Sequence, residues 1–147
     1  MKKYNILLSE PDLTSLESKQ VNKCIQDNWI SSSGPFIEKF EKSFSFYLNR
    51  KFGIATSNGT SAIELALKAL GVNKKSKVII PDWTFSATAN AVLSIGAELV
   101  LCDINNRDFS ICLDSLKKII IKYRNIDAII LVYPLGWAYD TNEIYNL

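Results

Sequence analysis

Residues 57–61, Ser-Asn-Gly-Thr-Ser, form a run of small polar residues between two apolar segments. The segment before it, 52–56, predicts a short buried strand, and the segment after it carries apolar residues at helical spacing. The run therefore predicts the start of a helix, where the first amides have no partner within the helix and favour negative charge. Gly59 has no side chain to obstruct an incoming group, and Thr60 and Ser61 add hydroxyls. These groups together are suited to holding a phosphate.

A simpler interpretation is that the same run only caps the helix. Ser61 and Glu64 have the spacing of a capping box, in which a hydroxyl and a carboxylate satisfy backbone amides at the start of a helix. Turns followed by helices are common and weakly specific. For this stretch taken alone, both interpretations stay open.

A second stretch, residues 81–91, reads PDWTFSATANA and follows another predicted strand. Trp83 and Phe85 stand at the strand end, ahead of a helix built from very small residues. An aromatic ring in this place can stack on a planar heterocycle. Because the two rings alternate along the chain, only one is expected to face the same side as residues 57–61. The alternative is that both rings belong to the core.

From residue 52 onward, the sequence predicts alternating strands and helices. The strands are expected at 52–56, 77–80, 98–102 and 128–132, and the helices at 61–70, 86–95, 114–123 and 141–147. Asp114 is the expected cap of the third of these helices. Repeated strand–helix units predict an α/β fold of three layers, with a mainly parallel sheet covered by helices on both faces. Ligands bind such sheets beyond the carboxyl ends of the strands, where both polar turns are expected.

Residues 1–50 precede this alternation and predict a helical arm. A modest helical pattern covers 13–28, a loop follows at 29–35, and a second helix is expected from Pro35. That second helix has a strong apolar stripe, made by Ile37, Phe40, Phe44 and Leu48.

Composition excludes several classes of function. The 147 residues carry 17 basic and 15 acidic side chains, so a net charge of +2 gives no reason to expect nucleic acid or an anionic membrane as a partner. The absence of histidine excludes histidine-dependent triads and mixed zinc sites. Three cysteines without metal-like spacing predict no metal site and suggest free thiols in a reducing compartment, the cytoplasm. The apolar run near the N-terminus is too short for a signal peptide or a membrane span.

Taken together, the two stretches resemble the DegT/DnrJ/EryC1/StrS family of sugar aminotransferases, which use pyridoxal phosphate. The resemblance rests on two motifs, Ser57-Asn58-Gly59-Thr60-Ser61-Ala62 and Pro81-x-x-Thr84-Phe85-x-Ala87-Thr88-Ala89-Asn90-Ala91. It extends from about residue 8 to the last residue, through the flanking matches Gly34-Pro35, Phe40-Glu41, Gly96-Ala97, Val100 to Asp103, and Gly136 followed by Asp140.

The resemblance implies a fold, a cofactor and an activity. The fold is the type I pyridoxal-phosphate fold, and the activity is transfer of an amino group from an amino-acid donor to a keto group on a nucleotide-linked sugar. Such a reaction belongs to amino-sugar or cell-surface polysaccharide biosynthesis. By the same resemblance, Gly59, Thr60 and Ser61 bind the phosphate of pyridoxal 5′-phosphate and Phe85 stacks on its ring. Trp83 then lies behind the cofactor-binding residues or in the core, and the 29–35 loop lies at the substrate entrance of a homodimer.

The resemblance also indicates what is missing. The Schiff-base lysine of the family and the carboxylate that pairs with the pyridinium nitrogen lie beyond residue 147, so no catalytic residue is assigned. Residues 1–147 are accordingly expected to be an incomplete N-terminal part of the cofactor-binding large domain, inactive alone. The family often has histidine after the strand ending at Val132, where this chain has Tyr133.

Three other functions are alternatives to an aminotransferase. One is a catalytically inert fragment that keeps only the core of the fold, and another is the branch of the same family that acts as a sugar dehydratase. The third is a Rossmann-type nucleotide-binding protein, which the absence of a Gly-x-Gly-x-x-Gly motif argues against.

Overall fold

A computed structural model describes residues 10–147, which form two compact units: residues up to Ala55, and Thr56–Leu147. The first unit contains two helices, α1 (Ser15–Gln26) and α2 (Pro35–Tyr47). Helix α1 is shorter than the predicted 13–28 because Thr14 starts it with a capping box, in which the hydroxyl of Thr14 and the carboxylate of Glu17 satisfy exposed amides.

Helix α2 begins at Pro35, as predicted, where the missing N–H of proline costs no helical hydrogen bond. Its apolar stripe includes a stacked pair, Phe40 and Phe44, whose ring centroids are 5.5 Å apart. A carboxylate oxygen of Glu41 accepts a hydrogen bond of 2.8 Å from the amide of Ala55. Helix α2 is therefore joined directly to the extended segment that ends this unit.

The strand predicted at 52–56 is wrong. In residues 10–147, this segment makes no ladder with any strand. Phe52 and Ile54, which suggested burial, are 74% and 71% exposed. The apolar pattern predicts a strand from its side chains alone, whereas a strand also requires a neighbouring backbone to accept and donate its hydrogen bonds.

The second unit consists of alternating helices and strands. Its elements in chain order are α3 (Gly59–Ala69), β1 (Lys77–Pro81), α4 (Ser86–Ile95), β2 (Glu98–Cys102), α5 (Leu113–Tyr123), β3 (Ala128–Ile129), a short 3₁₀ turn (Pro134–Gly136) and α6 (Asn142–Tyr145). The strand order is β2-β1-β3 and both pairings are parallel, which confirms the parallel sheet.

Alternate side chains of the central strand β1 enter two separate cores. Val78 and Ile80 pack with Leu67 of α3 and Val92 of α4 on one face. Ile79, fully buried, packs on the other face with a group that reaches from β2 to α5, namely Val100, Cys102, Ile111 and Leu116. A sheet with helices on both faces confirms the three-layer α/β fold.

Some predicted boundaries and caps change. Helix α4 ends as expected at Gly96, which adopts the left-handed conformation with φ 80°. Asp114 does not cap α5, because the N-cap position belongs to Cys112, which makes no side-chain capping bond; Asp114 lies in the first turn instead. Strand β3 has only two residues where five were expected, since just Ala128 and Ile129 have partners on β1.

Three cysteines are free, in agreement with the sequence. Burial raises the pKa of the Cys102 thiol, which keeps it protonated inside the core at neutral pH. Within residues 10–147, no cluster of side chains is arranged to bind a metal ion. In the same residues, every helix is too short or too polar to cross a bilayer.

Candidate functional site

The polar turns predicted to bind a ligand lie at the carboxyl edge of the sheet in the second unit. Helix α4 begins a few residues after the carboxyl end of β1, and α3 ends a few residues before the amino end of β1. The two helices pack in one core on the same face of the sheet. Both helix N-termini are therefore directed toward the edge where parallel sheets bind ligands.

Helix α3 begins earlier than predicted, at Gly59, and its N-cap is Asn58. The side-chain oxygen of Asn58 accepts a 2.9 Å hydrogen bond from the amide of Ser61. Glu64, the expected partner of Ser61 in a capping box, forms an ion pair with Lys68 instead. The capping-box interpretation is therefore wrong, and the helix is capped without using either hydroxyl of its first turn.

The first turn keeps several hydrogen-bonding groups available. Within the described residues, the amides of Gly59 and Thr60 donate to no protein acceptor, and the hydroxyls of Thr60 and Ser61 make no hydrogen bond. Among the described residues, a Cβ built on Gly59 meets no atom within 4 Å outside its chain neighbours and its own helix backbone, so the side of the turn at Gly59 is open. Two free amides, two hydroxyls and an open approach fit a phosphate at a helix N-terminus.

Replacing Asn58 with alanine removes the N-cap of α3 and tests whether this cap stabilises the fold. We expect the free energy of unfolding to fall by about 1 kcal/mol, the usual cost of losing an N-cap. Urea denaturation followed by circular dichroism measures this. Asn90→Ala is the matched control, because Asn90 is exposed within α4 and alanine is a better helix former. An equal loss in both variants would contradict this assignment of the cap.

A cleft of about 420 Å³ opens beyond the ends of β1 and β3. These two strands are neighbours in the sheet, and the chain leaves them for opposite faces, because α4 after β1 covers one face, whereas Tyr139 and Ile144 after β3 pack on the other. The cleft thus occupies a topological switch point, the usual ligand position in open α/β sheets. Its walls are Trp83, Thr84 and Phe85 from one strand end, and Val132, Tyr133, Pro134 and Leu135 from the other.

Neither aromatic ring of the 81–91 stretch belongs to the core. Phe85 is 80% exposed and Trp83 is 44% exposed, and both line the cleft. The indole of Trp83 packs on Phe109 with 4.8 Å between ring centroids. Phe109 has φ 58°, a conformation that costs energy for an aromatic residue and that the surrounding structure must hold. The Trp83 ring thus lines the cleft while it packs against a second aromatic ring.

The predicted site residue of the second stretch, Phe85, lines the cleft. Trp83, expected to lie behind the cofactor-binding residues or in the core, lines the cleft too. Gly59, Thr60 and Ser61 form the first turn of α3 but do not line the cleft. Sequence reasoning did not identify Asn58 as the cap or Phe109 as the support of Trp83, since neither contact follows from spacing along the chain.

Known proteins resemble this chain along almost its whole length. The profile of the DegT/DnrJ/EryC1/StrS aminotransferase family matches residues 11–147. GDP-perosamine synthase of Vibrio cholerae is 34% identical over 138 residues, which cover 94% of this chain and 37% of that protein. The 3-oxo-glucose-6-phosphate:glutamate aminotransferase of Bacillus subtilis is 47% identical over 116 residues, covering 79% of this chain and 26% of that protein.

Solved structures that resemble this chain are also aminotransferases or hold the cofactor PMP. The aminotransferase from Psychrobacter cryohalolentis has a TM-score of 0.84 at 28% identity, with 92% of this chain and 34% of that one covered. NtdA of Bacillus subtilis, with bound cofactor PMP, has a TM-score of 0.79 at 37% identity, with 91% and 31% covered. This chain thus spans about a third of the length of the proteins that it matches. It belongs to the DegT/DnrJ/EryC1/StrS aminotransferase family.

Proposed function

We propose that this chain forms the phosphate-binding and ring-stacking part of a pyridoxal-phosphate site in a sugar aminotransferase. The observation that supports this most strongly is the first turn of α3, where free amides face open space at Gly59. A structure in the same family holds PMP, the aminated form of this cofactor. When bound, pyridoxal phosphate supplies an electron sink for amino-group transfer.

Each residue has a distinct part in this proposal. The amides of Gly59 and Thr60 and the hydroxyls of Thr60 and Ser61 donate hydrogen bonds to the cofactor phosphate, whose negative charge the helix dipole favours. The Phe85 ring stacks on one face of the pyridine ring and excludes water from it. The chain's own contribution is to bind and orient the cofactor. We assign none of its residues to the chemical step.

The substrate that we propose is a keto sugar linked to a nucleotide, with an amino acid as the donor of the amino group. The name of the Vibrio cholerae relative, a GDP-perosamine synthase, supports a nucleotide-linked sugar. A keto sugar phosphate is the second candidate, supported by the relative that is 47% identical, whose name specifies 3-oxo-glucose-6-phosphate and glutamate. Both substrates present a keto group to the same cofactor.

We further propose that the protein works as a homodimer in the cytoplasm. The three free thiols support a reducing compartment. Two aromatic side chains of α2, Phe46 and Tyr47, are more than 80% exposed and support an interface. In that dimer, the 29–35 loop lies at the substrate entrance.

Titration calorimetry with pyridoxamine 5′-phosphate tests the binding roles. This form of the cofactor has no aldehyde and does not react with surface lysines, so only the folded site is measured. Thr60→Ala removes a charge-assisted hydrogen bond worth about 1.5–3 kcal/mol, and we expect the affinity to fall about ten- to a hundredfold. Phe85→Ala should weaken the binding of the cofactor while leaving the affinity for inorganic phosphate unchanged.

The matched control for the hydroxyl is Thr141→Ala, which changes the same side chain at the start of α6, away from the first turn of α3. We expect it to bind pyridoxamine 5′-phosphate as the parent chain does. If Thr60→Ala lowered the thermal midpoint but kept the affinity, the first turn would be structural only and the proposed function would lose its main support.

A further inference from the structure

Tyr133 stands on the wall of the cleft opposite Phe85. Strands β1 and β3 are paired in parallel, with Val78 beside Ala128 and Ile79 beside Ile129. Phe85 follows the first of these strands and Tyr133 follows the second, and both line the cleft. Neighbouring strands are about 4.8 Å apart, so the two chain segments leave the sheet from adjacent positions at the same edge.

The cleft offers few polar side-chain groups to a ligand. Phe85, Val132, Pro134 and Leu135 have none, and the hydroxyl of Thr84 is already paired with that of Thr88 at 2.9 Å. Within the described residues, the hydroxyl of Tyr133 makes no hydrogen bond to the protein. A heterocycle with polar substituents loses hydrogen bonds to water when it enters an apolar cleft, and it needs a replacement there.

The ring of Tyr133, like the ring of Trp83, packs against a second aromatic ring. It packs against Tyr139 with 5.0 Å between ring centroids and 40° between ring planes. The hydroxyl of Tyr139 is buried, whereas Tyr133 itself remains 47% exposed. Each side of the cleft thus contains one ring of an aromatic pair, Trp83 with Phe109 on one side and Tyr133 with Tyr139 on the other.

We propose that Tyr133 is a positioning residue for the cofactor, and that its hydroxyl donates a hydrogen bond to the phenolic oxygen of the pyridine ring. This inference rests on the proposed function. Phe85 contacts the face of the ring, α3 holds its phosphate, and Tyr133 fixes the rotation of the ring between them. A hydroxyl can donate and accept, whereas the indole of Trp83 only donates, which makes Tyr133 the better partner for an oxygen that changes its charge.

Tyr133→Phe tests this role because it removes the hydroxyl and keeps the ring against Tyr139. We expect the affinity for pyridoxamine 5′-phosphate, measured by calorimetry, to fall about five- to tenfold, the effect of one lost hydrogen bond. The affinity for inorganic phosphate should not change. The near-ultraviolet absorbance band of the bound ring, which reports the charge on its phenolic oxygen, should shift. A merely structural role of Tyr133 would not move that band.

Tyr145→Phe is the matched control, since Tyr145 is 80% exposed on α6 and does not line the cleft. It should bind the cofactor as the parent chain does. If Tyr133→Phe kept both affinity and absorbance while Thr60→Ala still weakened binding, the inference about Tyr133 would be wrong and the proposed function would stand. If the parent chain bound pyridoxamine 5′-phosphate and neither Thr60→Ala nor Tyr133→Phe weakened that binding, both would be overturned.

Discussion

Replacing Gly59 with leucine should abolish most of the affinity for pyridoxamine 5′-phosphate without destabilising the chain. Among the described residues, a Cβ at this position meets no atom within 4 Å outside its chain neighbours and its own helix backbone, so we expect the leucine side chain to extend into the space proposed for the phosphate. Loss of two charge-assisted hydrogen bonds predicts an affinity at least about a hundredfold weaker. Because leucine is a better helix former than glycine, the thermal midpoint should stay the same or rise. Calorimetry and thermal denaturation of the same sample measure the two effects.

Ala66→Leu is the control for Gly59→Leu. It adds a bulky side chain at an exposed position of the same helix, about two turns from the first amides. We expect unchanged affinity. If the turn at residues 57–61 only starts the helix and binds no phosphate, Gly59→Leu should bind pyridoxamine 5′-phosphate with the affinity of the parent chain. That result would exclude a phosphate from this position.

The largest effect on stability should come from the central strand. Ile79 is fully buried between β2 and α5, and Ile79→Ala leaves a cavity in a close-packed core. We expect the free energy of unfolding to fall by about 3–4 kcal/mol, measured by urea denaturation. Where the alanine variant does not fold, Ile79→Val should still lose about 0.5–1.5 kcal/mol.

Ile121→Ala removes the same side chain from a site that is 77% exposed on α5. It should change the free energy of unfolding by less than about 0.5 kcal/mol. Equal losses at Ile79 and Ile121 would contradict the division of the second unit into a sheet and two buried faces.

Local sequence was sufficient to predict most elements of the second unit. The strand at Glu98–Cys102 and the helix at Ser86–Ile95 were predicted with the bounds that the structure has. Both have strong local signals, an apolar run in the first case and Gly96 as a left-handed stop in the second. The failures share one cause. Among residues 10–147, the segment 52–56 has no partner strand and β3 is paired over only two residues, which no local pattern reveals.

The candidate site was predictable in part. Glycine and hydroxyl residues after a predicted strand indicated the helix N-terminus, because those residue types have a direct chemical role there. Which residue caps the helix was not predictable, since Asn58 and Ser61 are both good caps and only their geometry decides between them. The opposition of Phe85 and Tyr133 depends on the order of strands in the sheet, and the 48 positions that separate them along the chain carry no signal of it.

The most direct test of the phosphate site is the position of the amide resonances of Gly59 and Thr60 in a nuclear magnetic resonance titration. Pyridoxamine 5′-phosphate is added to one sample of the chain, and pyridoxamine, which lacks the phosphate, to another. We predict that both amides shift strongly with the phosphorylated compound and stay in place with the other, whereas Phe85 responds to both. Amides of Gly59 and Thr60 that do not move at saturating pyridoxamine 5′-phosphate would contradict a phosphate at the first turn of α3.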